Sequence, residues 1–353
     1  MVKVLGYDVG GANTKAALIS FQNGELINSK VLVEYFPVWK RPENLSDVFL
    51  ALKNQLSIGR LDGIGVTMTA ELSDAYQTKR EGVNHILDCL RKAFPNMPVY
   101  VLNAEAELES IDCANREPLG VAAANWAATG WLVSQYLENC VVVDVGSTTS
   151  SIIPIVKGKV TAYGKTDLDK LLCGELVYTG SLRTNVAAIV QSIPIKNGVT
   201  GVASELFALS GDVHLVLDNI TEKDYLSETA DGRGKTVPEA LARLARVVCA
   251  DAEILTRREI IQIAQFIYEE QIRQVTVGLS KVYTYTKSLT QDKIPIVVTG
   301  LGRKFIARKA AELLKVDKIV DLEALLPEKA VLATPAFGVA LMAANKLERE
   351  TIT

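Results

Sequence analysis

A short string occurs twice in this chain, about one domain apart. The N-terminal copy reads Val4-Leu5-Gly6-Tyr7-Asp8-Val9-Gly10-Gly11-Ala12-Asn13-Thr14-Lys15 and stays apolar to Ile19. The second copy reads Val141-Val142-Val143-Asp144-Val145-Gly146-Ser147-Thr148-Thr149 and runs on to Ile155. Each is an apolar run closed by Asp-Val-Gly, followed by small or hydroxyl residues and a second apolar run. A turn signal follows each second run: Gln22-Asn23-Gly24 in one copy, Lys157-Gly158 in the other. Asn-Gly between apolar runs marks a hairpin. Extended runs then follow, Glu25 to Tyr35 and Lys159 to Tyr163. The repeat unit is strand, Gly-rich turn, strand, turn, strand. Two such units point to duplicated α/β domains rather than a solenoid, whose periods are about 20–50 residues.

The chain between and after the copies alternates helix and strand patterns, which implies an α/β architecture. Leu45 to Leu56, Glu81 to Phe94, Pro238 to Cys249, Arg257 to Lys281 and Lys304 to Leu314 read as helices. Asp62 to Met68, Pro98 to Leu102 and Ile294 to Thr299 read as strands. Two small-residue segments, Pro118 to Leu137 and Thr334 to Lys346, read as buried helices able to approach each other closely. At 353 residues the chain exceeds a single core. Two domains, 1–138 and 139–333, are expected around a cleft, with the helix at 334–347 at their junction.

Composition narrows the partners. Lys+Arg total 38 against Asp+Glu 41, a net charge of -3 with no long basic run. A charge-driven grip on nucleic acid is not expected. Five scattered cysteines never form C-x-x-C. That argues against a disulfide framework or structural zinc and fits a reducing, cytoplasmic compartment. The first strand begins almost at Met1 and carries Lys3 and Asp8, so no signal peptide is expected. Pro118 to Leu137 carries no charge, but its Gly, Ala and hydroxyl content fits a close-packed helix better than a membrane span.

The paired turns have a physical use. Backbone N–H groups in such turns form nests for anions. Gly10, Gly11 and Gly146 allow close approach, and Asn13, Thr14, Ser147, Thr148 and Thr149 add donors. Asp8 and Asp144 suit Mg²⁺ held against phosphate oxygens, and Lys15 suits a phosphate charge. A single Asp-x-Gly is equally an ordinary tight turn; two copies heading two domains are a stronger signal. There is no P-loop, and Gly300-Leu301-Gly302 lacks the third glycine of a dinucleotide fingerprint.

Three further segments concentrate polar chemistry. Thr67, Thr69, Glu71 and Asp74 follow a strand at the end where α/β sheets bind ligands. They equally suit a capped helix start. Glu175, Tyr178, Arg183 and Thr184 lie in a polar island from Asp167 onward, a substrate loop or a plain hairpin. Asp231 and Arg233 sit in a mixed-charge loop that binds phosphate or simply turns. Asp212 and His214 are two apart, side by side if extended. They are a candidate metal pair, although metal sites usually need about three or four ligands. His85 lies in an apolar helical context and reads as packing.

The two Asp-x-Gly hairpins, the Thr299-Gly300-Leu301-Gly302 turn and the paired small-residue helices resemble the landmarks of the duplicated actin-like ATPase (ribonuclease H-like) fold. The likeness covers nearly the whole chain. Its pattern makes Asp8–Asn13 and Asp144–Thr149 the phosphate motifs and the Gly300–Gly302 segment the adenosine motif. A narrower likeness lies in Gly6–Ala17, Thr69–Tyr76, Gly174–Thr184 and Thr229–Arg233, which resemble the hydantoinase A/oxoprolinase-like family. Within it the chain is similar to the branch serving methanofuran biosynthesis. That branch implies a transferase joining an aminomethylfuran-methyl diphosphate to the phenol of γ-glutamyltyramine, with release of diphosphate. Its partners are then small molecules, not nucleic acid or membrane, and Mg²⁺ is the expected cofactor. ATP suits the same turns but is not required. In this reading Glu71, Asp74 or Glu175 is the base for the phenol, and Arg183 meets the glutamyl carboxylates. The competing readings are an ATP-dependent oxoprolinase-like hydrolase or small-molecule kinase, and a non-catalytic actin-like assembly protein. Oligomeric state is open.

Overall fold

The computed structural model describes residues 1–56, 59–290, 293–327 and 329–352. The chain divides into two compact units. One comprises Met1–Cys140, Ile153–Lys170 and Asp321–Thr353, the other Val141–Ile152 and Leu171–Val320. The first thus takes in both the C-terminal segment and residues from the span expected to form the second domain.

The strands are β1 (Val2–Val9), β2 (Asn13–Gln22), β3 (Glu25–Tyr35), β4 (Gly63–Met68), β5 (Val99–Leu102), β6 (Leu108–Ser110) and β7 (Cys140–Val145). They continue as β8 (Ser150–Val156), β9 (Lys159–Val160), β10 (Leu176–Val177), β11 (Ser192–Ile195), β12 (Gly198–Gly201), β13 (Ile296–Thr299) and β14 (Ile319–Asp321). The helices are α1 (Leu45–Gln55), α2 (Lys79–Ala93), α3 (Ile111–Arg116), α4 (Pro118–Val121), α5 (Asn125–Ser134) and α6 (Asp167–Cys173). They continue as α7 (Val186–Ile189), α8 (Ser210–Val216), α9 (Val237–Arg246), α10 (Arg257–Thr290), α11 (Arg308–Leu313) and α12 (Thr334–Ile352).

In the first unit the strand order is β3-β2-β1-β4-β5-β6. The hairpin strands β1, β2 and β3 pair antiparallel, while β1–β4 and β4–β5 are parallel. Asn23 and Gly24 both take positive φ, 53° and 79°, as a two-residue hairpin turn of matching twist requires. Leu5, Tyr7 and Val9 of β1 enter a core with Phe49 and Leu52 of α1 and Ile86 and Leu90 of α2. On the opposite face of β1, between Val4 and Asp8, Gly6 presents no side chain. Gly6 is the register partner of Gly65 on β4, and α12 covers both. A Cβ on Gly6 would lie 2.1 Å from the Ala336 carbonyl oxygen, and one on Gly65 2.5 Å from that of Val339. On α12, Gly338 admits the Ala128 carbonyl of α5 just as closely, with a built Cβ 2.6 Å away. The two small-residue helices therefore meet inside this unit.

The segment expected to form one helix from Pro118 to Leu137 is instead broken into α4 and α5. Ala123, with φ 52°, turns the chain between them. Among the described residues no helix is long and apolar enough to cross a membrane.

The second sheet repeats the pattern. Its order is β10-β8-β7-β13-β14, with β9 also pairing β8, and the end of β8 and all of β9 fall within the Ile153–Lys170 stretch. β7 takes the place of β1, β8 that of β2 and β13 that of β4, the last again parallel to the first. Lys157 and Gly158 repeat the positive-φ turn at 52° and 69°. The third strand differs. Only Lys159–Val160 of the expected run to Tyr163 is extended, and β10 occupies the same edge. The order is the ribonuclease H-like one in both units, which is the duplicated actin-like ATPase fold. The core behind β7 and β13 gathers Val141, Val143 and Val298 with Ile263 and Ile267 of the long α10.

That core also encloses an ion pair. Arg243 of α9 and Asp212 of α8 are both fully buried, with Nη2 2.7 Å from Oδ1 and Nε donating to the same oxygen at 2.9 Å. The other Asp212 oxygen accepts from the Leu209 amide at 3.0 Å.

Two stability measurements check this description. Gly6→Ala is expected to lower stability by about 1–3 kcal/mol in chemical denaturation, because the α12 backbone must give way. Gly120→Ala, where a Cβ meets nothing within 4 Å, should be near neutral. Arg243→Met is expected to cost about 3–5 kcal/mol by leaving Asp212 buried and unpaired, and the double variant Asp212→Leu/Arg243→Met to recover much of it. A double variant no more stable than the single would contradict that account.

Candidate active site

Both Asp-x-Gly turns close in the same way. The Gly10 amide donates to the Asn13 carbonyl at 3.0 Å, and the Gly146 amide to the Thr149 carbonyl at 2.9 Å. In each case the next strand starts at or just after the acceptor. Each turn is further anchored through a backbone carbonyl. Gly11 O accepts from Val38 N, while Ser147 O accepts from Leu182 N and Arg183 N.

In the first unit, strand register sets a polar row beyond the turn. Asp8 lies opposite Lys15 on β2 and Thr67 on β4, so all three side chains share one face. Lys15 Nζ donates to Asp8 Oδ2 at 3.3 Å. Asp8 is only 2% exposed, and its Oδ1 has no hydrogen-bond partner among the described residues. The Thr67 hydroxyl on this face is likewise buried and unpartnered among the described residues, while the buried Thr14 hydroxyl belongs to the opposite face, beside Val9. Buried polar atoms normally find partners, so a cluster of orphans marks a place for a bound group.

One turn further, β4 runs through Thr69 into a short 3₁₀ turn at Ala70–Leu72 that carries Glu71. Glu71 is 1% exposed, and neither carboxylate oxygen makes a well-formed hydrogen bond with any described residue. Gly82 of α2 holds it in place: a Cβ there would lie 2.6 Å from both the Cα and the carbonyl of Glu71. Desolvation pushes the Glu71 carboxyl up to about 7. The Lys79 ammonium, 3.9 Å from Oε1, pulls it down, and Asp167 pushes it up again. Lys79 is fixed as the first residue of α2, whose start Thr78 caps by accepting from the Glu81 amide at 3.1 Å. Lys79 also pairs with Asp167 Oδ2 at 2.8 Å. The sequence reading gave Lys79 and Asp167 no role of their own, one lying in the polar run after β4 and the other opening the polar island, and only the fold brings 88 residues of separation to one contact.

In the second unit the turn is enclosed by glycines. Gly300, at φ 84°, would place a Cβ 2.5 Å from Asp144 Oδ1. Gly302 donates its amide to Val145 O at 2.9 Å, and Gly180 packs on the Thr148 backbone. Arg183 Nη1 donates to Thr148 Oγ1 at 3.1 Å. The turn, the Gly300–Gly302 segment and the 180–184 loop therefore form one cradle.

The remaining predicted residues scatter. Asp74 and Tyr178 are exposed. Glu175 is buried, with its carbonyl accepting from Ile152 N. Thr184 is buried and holds its own loop, its hydroxyl accepting from the Gly180 amide at 2.9 Å. Asp231 is tied to Arg243 and Arg246, and Arg233 is exposed beside it.

The Asp212/His214 metal pair does not form. The segment is helical, so residues two apart diverge. Asp212 is taken by Arg243. His214 is sandwiched with Nε2 on Gln271 Oε1 at 2.9 Å and Nδ1 on Asn219 at 3.2 Å, leaving neither nitrogen open. Burial lowers its pKa to about 4. Gln271 passes the connection on, donating to Thr179 Oγ1 and Gly180 O, both at 2.8 Å. His214 thus supports the cradle rather than a metal. His85 does more than pack: its Nδ1 lies 2.7 Å from the Tyr76 hydroxyl.

Among the described residues no three His, Cys, Asp or Glu side chains converge as a metal cage. Mg²⁺ bound with a phosphate needs only one or two carboxylates. The orphan Oδ1 of buried Asp8 fits that demand.

Comparison with known proteins adds what geometry cannot. The chain is 38% identical over 352 residues to the (4-{4-[2-(gamma-L-glutamylamino)ethyl]phenoxymethyl}furan-2-yl)methanamine synthase of Methanocaldococcus jannaschii, covering 99% of each. It is 39% identical over 218 residues to the protein of that name from Methanococcus vannielii, covering 61% of this chain and 96% of that one. Among solved structures, nucleotide-free acetone carboxylase superposes with a TM-score of 0.54 at 11% identity, over 96% of this chain and 70% of that one. That last likeness speaks for the fold alone. Residues 62–346 match the hydantoinase/oxoprolinase family. Over that span, and with its polar row and paired turns in place, the chain belongs to the hydantoinase/oxoprolinase family.

Proposed function

We propose that the protein is the transferase of methanofuran biosynthesis that makes the aryl ether for which its full-length relative is named. The observation that carries the reading is that relative's near-complete coverage of this chain. The named product has a phenol oxygen joined to a furan methylene. The chemically direct route is displacement of diphosphate from a furan-methyl diphosphate by the phenol of γ-glutamyltyramine. The methylene–oxygen bond to diphosphate breaks with its electron pair, the phenol oxygen bonds to the methylene, and the phenol proton is removed by a base.

Glu71 suits the base. A phenol has an ordinary pKa of about 10, and a base is most effective when its own pKa lies near the working pH. Glu71 is held there by burial, whereas Asp74 is exposed. The close packing of its 3₁₀ turn on Gly82 fixes where the proton is taken. Lys15 suits a non-bridging phosphate oxygen, and the Gly11 amide suits the same charge, the Gly10 amide being taken by the Asn13 carbonyl. Mg²⁺, held on Asp8, would offset the charge that develops on the leaving diphosphate.

The direct test incubates the protein with the furan-methyl diphosphate, γ-glutamyltyramine and Mg²⁺, without nucleotide. Ether by mass, with one diphosphate released per ether, is expected. Product that appears only with ATP, alongside ADP, would replace this reading with the ATP-dependent one.

The pH profile is a second check. A base of pKa about 7 must be deprotonated, so kcat/KM should rise with pH through about 7 and level above it. Glu71→Gln should lower kcat by about 10²–10⁴-fold and abolish that limb. A limb that persists in the variant would assign the base elsewhere.

A further inference from the structure

Glu71 shares one cation with another carboxylate. Lys79 Nζ sits 2.8 Å from Asp167 Oδ2 and 3.9 Å from Glu71 Oε1. One ammonium therefore serves two anions at unequal distances. Glu71 is buried, while the Lys79 and Asp167 side chains each keep 26% of their surface exposed. The two come from different elements: Lys79 opens α2 and Asp167 opens α6. Among the described residues, the charged side chains acting on Glu71 are Lys79 and Asp167. The amides of Glu71 itself and of Ala123 approach its carboxylate, and Tyr76 is a neutral phenol bonded to His85.

We propose that Lys79 and Asp167 are positioning residues that set the charge on Glu71, Lys79 favouring its ionised form and Asp167 diverting that support. The arrangement works by opposed signs. An ammonium near a carboxylate stabilises its charge, and a second carboxylate destabilises it directly. Asp167 also draws the ammonium to itself, because its own contact with Lys79 is the shorter one. Lys79 is thereby kept off Glu71, and the carboxylate stays basic enough to take a proton instead of being locked in a salt bridge. The value for catalysis rests on the reading of Glu71 as the base; the charge relation does not.

The relation predicts displacements of opposite sign, which a merely structural ion pair would not produce. Protein labelled with ¹³C at the glutamate carboxyl is titrated by NMR, with the Glu71 signal assigned by its loss in Glu71→Gln. Relative to the native midpoint, Lys79→Met is expected to move the midpoint up by about one pH unit or more. Asp167→Asn should move it down by a comparable amount, and Lys79→Arg should leave it near the native value. Displacement of both in one direction, or of neither, overturns the proposal. If Lys79→Met does not fold, Asp167→Asn decides alone: a midpoint that stays or rises overturns it. The acidic limb of ether formation is then measured in the same variants. A limb that follows the NMR order supports both inferences. A limb that ignores it, with the NMR order intact, upholds the charge relation and removes Glu71 from the role of base.

Discussion

The close approach of α12 to β1 and β4 governs the first unit. Gly6 and Gly65 are register partners, and neither position has room for a methyl group beneath the α12 backbone. Small residues on both sides let helix and sheet backbones touch, and a close-packed interior tolerates no added carbon there. Two residues further along the same strands and on the same face come Asp8 and Thr67. The polar row is thus placed by the strand alternation that places the glycine pair. Packing and site are two ends of one register.

The duplicated turn is a shared solution with different surroundings. In both copies a glycine amide closes on the carbonyl three residues on. In the first unit the neighbour is a hairpin, and Asp8 meets a lysine across the strand pair. In the second, glycines at 180, 300 and 302 bring two segments onto Asp144–Thr148. A buried chain of side chains from Asn219 through His214 and Gln271 holds one of those segments. A fully satisfied buried network of this kind specifies one arrangement of the loop, because each lost bond leaves a polar group unpaired.

Magnitudes decide the state of Glu71. Unit charges about 4 Å apart interact by about 4 kcal/mol at an effective dielectric near 20. That alone would hold the carboxyl well below its usual range. Its pKa is raised instead, because desolvation of a fully buried group is larger and the nearest cation is shared with Asp167. Burial creates the reactivity, and the divided ammonium limits it.

Local order was legible in the residues themselves. The alternation of β1 and β2, the positive-φ turns at Asn23-Gly24 and Lys157-Gly158, and the extent of α1 all follow from nearest-neighbour rules of backbone and side chain. The repeat then carried the duplicated topology, and the Gly6–Ala17 and Gly174–Thr184 strings carried the family. Readings that depended on conformation over a few residues were less secure. Asp212 and His214 would flank a metal on a strand but diverge on α8, and the uncharged run after Pro118 turns at Ala123. What the sequence by itself determined is the pair of turns and the residue types they offer. Only the tertiary structure decided that Glu71 is buried while Asp74 is exposed, and that Asp167 reaches Lys79. Desolvation and charge sharing depend on what surrounds a group in space, and chain order does not record it.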